Sequence, residues 1–198
     1  MTRADEMRQL AILTFVSVDG IMQSPSAPEE DPSDGFALGG WAAPYWDETM
    51  PHVMQNAMAQ PYDILFGRKT YNLFAGHWPN APKSDVGDML NTARKHVVTS
   101  SADALHWQNA QVVSGDVVQE VSALKSTDGP LLQVHGSQQL IQTLHAADLI
   151  DTYRLWVFPV ILGSGKRLFE PTKTSRSLRL HHCEALENGV VHQVYRTG

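Results

Sequence analysis

The chain has 198 residues, of which 42% are hydrophobic and 18% charged, and it contains a single cysteine. This composition predicts one globular domain and excludes a disordered chain, a collagen-like repeat and a disulfide scaffold. The formal net charge is -6, and eight acidic residues but no lysine or arginine lie between Arg8 and Arg68, which argues against nucleic acid as the main partner because such a surface repels phosphates.

The first predicted element is a buried strand over residues 10–16, which are apolar and partly β-branched. A segment rich in proline, glycine, serine and acids follows over residues 17–45. Connections this long are usually functional in compact domains, so we expect the segment to cover a site. Its acids either overhang that site, where they would favour a neutral or weakly basic ring over a phosphorylated sugar, or point into solvent. They are Glu29, Glu30, Asp31 and Asp34.

A helix is predicted over residues 46–59, where apolar side chains recur at helical spacing. Asp47 and Glu48 lie near its start, which suits the positive end of the helix dipole. A buried strand over residues 62–66 then runs directly into the sequence Gly67-Arg68-Lys69-Thr70 and a second short helix. Such a strand–glycine–helix junction presents free backbone N–H groups to an anion.

The alternation of strands and helices continues toward the C-terminus. We predict strands at 96–99, near 111–113 and at 131–135, and helices near 85–93 and at 116–125 and 138–145. The strand at 131–135 runs into Gly136-Ser137, which forms a second strand–glycine–helix junction, and the strand at 96–99 ends at Ser100-Ser101. A long strand over 152–162 follows, and the last two strands are joined near Asn188-Gly189, a strong hairpin signal.

These elements predict an α/β three-layer sandwich that forms a single domain over residues 1–198. Its central sheet is mostly parallel, is flanked by helices and ends in a C-terminal antiparallel hairpin. Ligands of such sheets bind beyond the carboxyl ends of the strands, where both glycine junctions lie. Neither junction is a G-x-G-x-x-G or Walker loop, and each by itself is more often a simple helix entry. Together with the basic pair Arg68-Lys69 and the hydroxyls of Ser100 and Ser101, they would suit a dinucleotide with an extra 2′-phosphate.

Membrane and metal binding are not expected. No apolar run approaches the roughly 20 residues of a membrane span, and the charged residues 1–6 lack the apolar core of a signal peptide, so we expect a cytoplasmic protein. Cys183 is alone, and its spacing to His181 and His182 is not that of a zinc site, so no metal site is expected there.

Several short motifs follow one another in a specific order over about residues 8–196. They are Ser17-Val18-Asp19-Gly20, Gly67-Arg68-Lys69-Thr70-Tyr71, Val98-Thr99-Ser100, His135-Gly136-Ser137, residues 148–155 and residues 158–165. This order resembles the dihydrofolate-reductase-like superfamily, and more closely the branch of the reductase domain of the riboflavin-biosynthesis deaminase/reductase. The resemblance implies an NADPH-dependent reductase that acts on a small heterocyclic substrate, either 5-amino-6-(5-phosphoribosylamino)uracil or a dihydrofolate- or pterin-like ring. It also implies a homodimer, for which the apolar residues Leu155, Val157 and Val160 give weak direct support.

The resemblance also implies roles for individual residues. The first junction would hold the pyrophosphate, with Arg68 near the 2′-phosphate, and Ser100 with Ser101 would hold the adenosine half. The second junction would lie along the pyrophosphate and the nicotinamide ribose, and the segment from Thr14 to Gly20 along the nicotinamide. The implied cofactor-binding residues are Thr14, Gly67, Arg68, Lys69, Thr70, Ser100, Ser101, Gly136, Ser137 and Gln138.

The proton donor is the open point of the sequence analysis. The candidates are Asp19, Asp47 and Glu48. Asp19 would equally serve to hold its own turn, and the other two acids are what any helix N-terminus favours. Two other functions therefore stay open, a catalytically silent NADP-binding regulatory module and a structural partner-binding protein without nucleotide affinity.

Overall fold

Strands and helices alternate along the chain as the hydrophobic pattern predicts. The computed structural model describes residues 7–101, 103–171 and 175–198, so the N-terminal residues 1–6 considered above lie outside the described part. The strands are β1 (Leu10–Ser17), β2 (Tyr62–Gly67), β3 (Lys95–Val98), β4 (Ala110–Val113), β5 (Leu131–His135), β6 (Thr152–Phe158), β7 (Leu178–Ala185) and β8 (Val191–Thr197). The helices are α1 (Thr49–Ala57), α2 (Arg68–His77), α3 (Asp85–Thr92), α4 (Val117–Lys125) and α5 (Gln138–Ala146).

The strands form one sheet in the order β4-β3-β2-β5-β1-β6-β8-β7. The pairs from β4 to β6 are all parallel, whereas β8 pairs antiparallel with both β6 and β7. The predicted parallel sheet with a C-terminal antiparallel hairpin is therefore confirmed.

Two hydrophobic clusters cover the two faces of the sheet. Along β1, Ala11 and Leu13 belong to one cluster, and Leu10 and Ile12 belong to the other. The first cluster receives buried side chains from α1, α2 and α3, and the second receives them from α4 and α5. This alternation is the period of a strand that is buried on both sides, and it confirms the three-layer arrangement.

Two predicted boundaries were wrong by three residues or more, and the others differ from the structure by one or two residues at most. The first helix begins at Thr49 instead of 46, because the Asp47 carboxylate lies outside the helix and accepts the backbone N–H groups of Thr49 at 2.9 Å and Met50 at 3.3 Å. The strand β6 ends at Phe158 instead of 162. Pro159 follows, and a proline has no N–H group with which to continue the sheet.

The apolar residues that gave weak support for a dimer lie in the interior. Leu155 is buried in the α4–α5 cluster, Val157 packs against the same cluster, and Val160 packs against the opposite one. Their apolar character is explained by the core of a single chain, so the homodimer stays a prediction without support from these residues.

Buried ion pairs close the amino end of the sheet. Arg8, just before β1, donates to Asp63 of β2 at 2.7 Å and to the carbonyl of Pro130 at 2.8 Å, and His96 of β3 lies 3.2 Å from the same carboxylate. Lys125 at the end of α4 donates to Asp151 at 2.6 Å. Because these charged side chains pair with one another, they are not available to a ligand. We therefore expect ligands to bind at the opposite, carboxyl end of the sheet.

Within the described residues, every helix is too short or too polar to cross a lipid bilayer.

Candidate functional site

A cavity of about 540 Å³ lies beside the carboxyl ends of β1 and β5 and the first turns of α2 and α5. Most of its wall is apolar and comes from β1, β6, α1, α2 and the residues that directly follow these two helices. These side chains include Leu13, Phe15, Met54, Met58, Leu73, Phe74, Trp78 and Trp156. The polar part of the wall includes Thr14, Ser24, Glu30, Asp31, Thr70, His135, Ser137, Gln138 and Lys166. A volume and lining of this kind suit a planar organic molecule that is oriented by a few polar groups.

The two strand–glycine–helix junctions are joined by hydrogen bonds, because β2 and β5 are neighbours in the sheet. The backbone N–H of Gly67 donates to the Ser137 hydroxyl at 3.0 Å, and the backbone N–H of Ser137 donates to the Thr70 hydroxyl at 3.1 Å. The first backbone N–H groups of a helix have no partners inside it. The pair of junctions therefore places two helix N-termini side by side, which is a favourable site for an anion.

The second junction depends on an unusual backbone. Gly136 and Ser137 have φ values of +56° and +60°, in the left-handed region. A Cβ atom on Gly136 would lie only 3.2 Å from the Thr70 Cγ2 atom. A glycine is therefore needed here both for its conformation and for the close approach of the two junctions.

The third strand end contributes to the same edge of the sheet. Arg68 donates from Nη1 to the carbonyl of Asp103 at 3.1 Å and from Nε to Asn72 at 3.0 Å. The Ser101 hydroxyl donates to the Asp103 carboxylate at 2.7 Å, while Ser100 is exposed. Arg68 and Ser101 thus both contact Asp103, and their roles in cofactor binding stay predictions. Lys69 is exposed at the start of α2.

The predicted proton donors do not line the cavity. Asp19 accepts the Ser17 hydroxyl at 2.6 Å and the N–H groups of Leu162 at 3.1 Å and Gly163 at 2.7 Å. The hydrogen bond from Ser17 is the main reason why the pKa of Asp19 falls to about 2. Asp47 lies just before α1 and accepts the first backbone N–H groups of that helix, and Glu48 is exposed beside it. These acids hold or flank turns, which is the alternative that their sequence context left open.

Two acids of the long loop line the cavity instead. Glu30 is half-buried and accepts the N–H of Ser26 at 2.8 Å, and burial raises the pKa of its carboxyl group. Asp31 forms an ion pair with Lys166, whose ammonium also donates to the Ser33 hydroxyl at 2.6 Å. Desolvation opposes ionisation of Asp31, but the hydrogen bonds from Lys166 and Ser33 outweigh it and lower the pKa.

The adjacent acids Glu30 and Asp31 thus have environments that shift their pKa values in opposite directions, a pattern that is typical of acid–base sites. Glu29 and Asp34 are exposed and do not line this cavity. The sequence located the loop but could not separate its inward acids from its outward ones, because the loop has no periodicity that would indicate a face.

The two tryptophans that precede α1, Trp41 and Trp46, have different roles. Trp41 is buried, packs edge-on against Phe158 and donates its indole N–H to the carbonyl of Gln23 at 2.7 Å, so it anchors the loop. Trp46 lies at the rim of the cavity, 48% exposed, with its ring 5.7 Å from that of Phe15. Its exposed face is available to a planar ring.

Comparison with known proteins agrees with this architecture. The chain is 25% identical over 203 residues to the "Uncharacterized protein YyaP" of Bacillus subtilis, covering 98% of both proteins. It is also similar to the crystal structure of a putative riboflavin biosynthesis protein from Shewanella sp. PV-4, with a TM-score of 0.62, 16% identity and coverage of 97% of this chain and 99% of that one. The dihydrofolate reductase of Enterococcus faecalis, solved with NADP(H), gives a TM-score of 0.61 at 12% identity and 96% coverage of both chains.

The structural similarities, at these low identities, establish the fold. The family is established by sequence, because the family model described as the RibD C-terminal domain matches residues 8–192. The resemblance inferred from the order of the motifs is thereby confirmed, and the protein belongs to the RibD C-terminal domain family.

Proposed function

We propose that the protein is an NADPH-dependent reductase of a small, planar heterocyclic substrate that binds in the cavity. The observation that carries this proposal is the pair of helix N-termini, joined through Thr70 and Ser137, at the edge of a largely apolar cavity. A neighbour of the same fold, the Enterococcus faecalis dihydrofolate reductase, was solved with NADP(H), which supports the choice of cofactor. When bound, NADPH supplies the hydride for the reduction.

The residues of the two junctions fit a dinucleotide. Gly67 and Gly136 leave the backbone uncovered at the starts of α2 and α5, where N–H groups and helix dipoles favour a pyrophosphate. The hydroxyls of Thr70 and Ser137 fix the distance between the two helices. Arg68 would neutralise a 2′-phosphate, with Ser100 and Ser101 on the adenosine side, as the resemblance implies.

The charges around the cavity favour an unphosphorylated ring. Among the described residues that line it, Lys166 is the only lysine or arginine, and its ammonium is held by Asp31 and Ser33. A phosphoribosyl substrate would have no free cation there, and it would lie near two carboxyl groups. A dihydrofolate- or pterin-like ring, neutral or weakly basic, is therefore favoured over 5-amino-6-(5-phosphoribosylamino)uracil.

Glu30 is the acid that we assign to proton delivery. It lines the cavity, is partly removed from water, and retains its proton to a higher pH than an exposed glutamate because burial raises its pKa. A rise in the pKa of a carboxyl group toward the working pH makes it better suited to donate a proton to a substrate. Asp31, paired with Lys166, would instead hold the loop over the cavity in its ionised form.

The first experiment is a fluorescence titration of the purified chain with NADPH and NADH. We expect saturable binding with a clear preference for NADPH, and Arg68→Ala should weaken NADPH far more than NADH because it removes the cation that faces the 2′-phosphate. The exposed Lys83→Ala variant is the matched control. Equal affinity for both cofactors, or an equal loss of both in Arg68→Ala, would contradict this assignment.

The second experiment follows NADPH oxidation across a panel of folates, pterins and aminopyrimidine ribitol compounds. Turnover with an unphosphorylated ring supports the reductase and the substrate class together. Cofactor binding without turnover across the panel would instead favour the NADP-binding regulatory module, and the absence of any nucleotide binding would favour a partner-binding protein. Light scattering at micromolar concentration tests the homodimer.

A further inference from the structure

Three side chains with metal-ligand chemistry meet on the C-terminal hairpin, away from the cavity. His182 and Glu184 are two residues apart on β7, so they share one face of the sheet. Glu184 lies directly opposite His192 of β8 in the antiparallel register. One ligand atom from each of the three lies within 4.8 Å of the others.

The spacing is close to that of a coordination shell. The His182 Nε2 atom is 3.6 Å from the Glu184 Oε2 atom. Ligands about 2.0–2.2 Å from a tetrahedral ion lie roughly 3.3 Å from one another. The His182 and Glu184 side chains are about half exposed, at 50% and 52%, so small rotations can bring them to that distance without disturbing the core.

His192 is the buried member of the cluster. It is only 8% exposed, and its ring stacks on that of Trp156, with 4.6 Å between ring centroids and 8° between planes. Its Nε2 atom is buried without a hydrogen-bond partner. A buried polar atom left unpaired normally costs about 1–3 kcal/mol, so this atom lacks the partner that a folded protein usually provides.

The charges near His192 are mixed. Glu184 on β7 is the negative group, whereas Arg154 of the neighbouring strand β6 acts on His192 with the opposite sign. Arg154 donates to the carbonyl of Ala57 at 2.6 Å, so part of its guanidinium group is paired. The negative charge of the Glu184 carboxylate would therefore stabilise a cation bound beside His192.

We propose that His182, Glu184 and His192 form a binding site for a zinc-like divalent transition-metal ion. Two imidazoles and a carboxylate are a ligand set of zinc, and the exposure of β7 leaves a fourth position for water. None of the three residues lines the cavity, but Trp156 lines it and stacks on His192. The metal would hold the edge strand β7 to β8 directly behind one wall of the cavity.

No metal site was expected in this region, because the spacing of Cys183 to its neighbours His181 and His182 is not that of a zinc site. Cys183 lies between His182 and Glu184 on β7 and opposite Gln193. Because side chains alternate along a strand, it points to the other face of the hairpin. The third ligand comes from His192, across the turn at Asn188-Gly189. A His-x-Glu pair facing a histidine across a predicted hairpin is the signal that could have revealed it.

The test is calorimetric titration of the chelator-treated full chain with ZnCl₂. We expect one ion per chain, and we expect the double variant His182→Ala/Glu184→Gln to lose more than about tenfold in zinc affinity, since even changes outside the ligand shell cost that much. Both substituted side chains are exposed, so the variant should fold. His181→Ala, the exposed histidine next in the strand, is the matched control and should bind zinc as the parent does.

A second readout uses the stacked tryptophan. Cu²⁺ bound at the cluster should quench the fluorescence of Trp156, and the extra quenching should disappear in Trp156→Phe and in the double variant. The absence of saturable zinc binding by the parent chain, or equal zinc affinity in the double variant and His181→Ala, would overturn the proposal. Neither readout involves NADPH, so this site and the proposed reductase function succeed or fail separately.

Discussion

Among single residues, Glu30 differs from its neighbour Glu29 because it is half-buried and lines the cavity, whereas Glu29 is exposed. Replacing Glu30 by Gln removes the proton while it keeps the size of the side chain. We expect the turnover number to fall by about 100-fold or more, as for the loss of a general acid, with NADPH affinity unchanged. The parent rate should fall as the pH rises through the raised pKa of Glu30, and this limb should be absent from the variant.

The exposed Glu29→Gln is the matched control for that experiment. If Glu30→Gln retains the turnover number and the pH profile of the parent, the proton comes from elsewhere, for example from an ordered water.

His135 gives the protein a pH-dependent stability. Its side chain is buried beside Gln133, and desolvation lowers its pKa to about 4, below the ordinary value of 6.5. As the pH falls, the unfolded chain therefore binds a proton on His135 before the folded chain does. The free energy of unfolding has its full value above about pH 6.5 and decreases progressively toward pH 4. We expect about 3 kcal/mol to be lost over that window from this residue.

Urea denaturation between pH 4 and pH 7.5 measures this effect. The stability of the parent should decline more steeply with acid than that of His135→Gln, while the exposed His52→Gln should follow the parent. Parallel curves for all three proteins would show that His135 does not release a proton on folding.

At the scale of elements, the contact between α2 and α5 depends on two hydroxyls. Thr70→Val keeps the shape of the side chain but leaves the N–H of Ser137 without its acceptor. We expect a loss of about 1–3 kcal/mol in the free energy of unfolding and a severalfold weaker NADPH affinity, because the two helix N-termini are no longer held at a fixed distance. Denaturation and cofactor titration of the same sample measure both.

Thr143→Val is the control for this change. It removes an exposed threonine hydroxyl from α5 that bonds only within the helix, to Gln139 at 3.0 Å. Should Thr70→Val behave like Thr143→Val in both measurements, the contact between the junctions would not contribute to cofactor binding.

At the scale of the whole molecule, the two ends of the sheet have separate roles. The amino end holds the buried Arg8–Asp63 pair, and the carboxyl end holds the cavity. Asp63→Asn leaves the charge of Arg8 buried and uncompensated, so we expect it to destabilise the fold by about 3–5 kcal/mol. Because the pair is far from both junctions in the sheet, the folded variant should bind NADPH as the parent does.

Thermal and urea unfolding, combined with cofactor titration at low temperature, check this separation. The exposed Asp88→Asn in α3 should cost only a few tenths of a kcal/mol. A large loss of NADPH affinity in the folded Asp63→Asn protein would mean that the two ends are coupled.

The strands and helices and the order of the motifs could be predicted from local patterns in the amino-acid sequence. The buried strands β1 and β2 are rich in apolar residues, and glycines mark the places where β2 and β5 turn into helices, so the parallel sheet and both junctions could be predicted. Boundaries were missed where a single side chain decides them, as with the Asp47 carboxylate and with Pro159 after β6.

Which polar residues share a site depends on the three-dimensional fold. Thr70 and Ser137 meet because β2 and β5 are neighbours, and the sheet order is not a local property of the chain. Glu30 faces the cavity and Glu29 faces solvent because Trp41 and Lys166 hold the loop in one position. His192 joins His182 and Glu184 because strand register, which depends on long-range pairing, places them on one face.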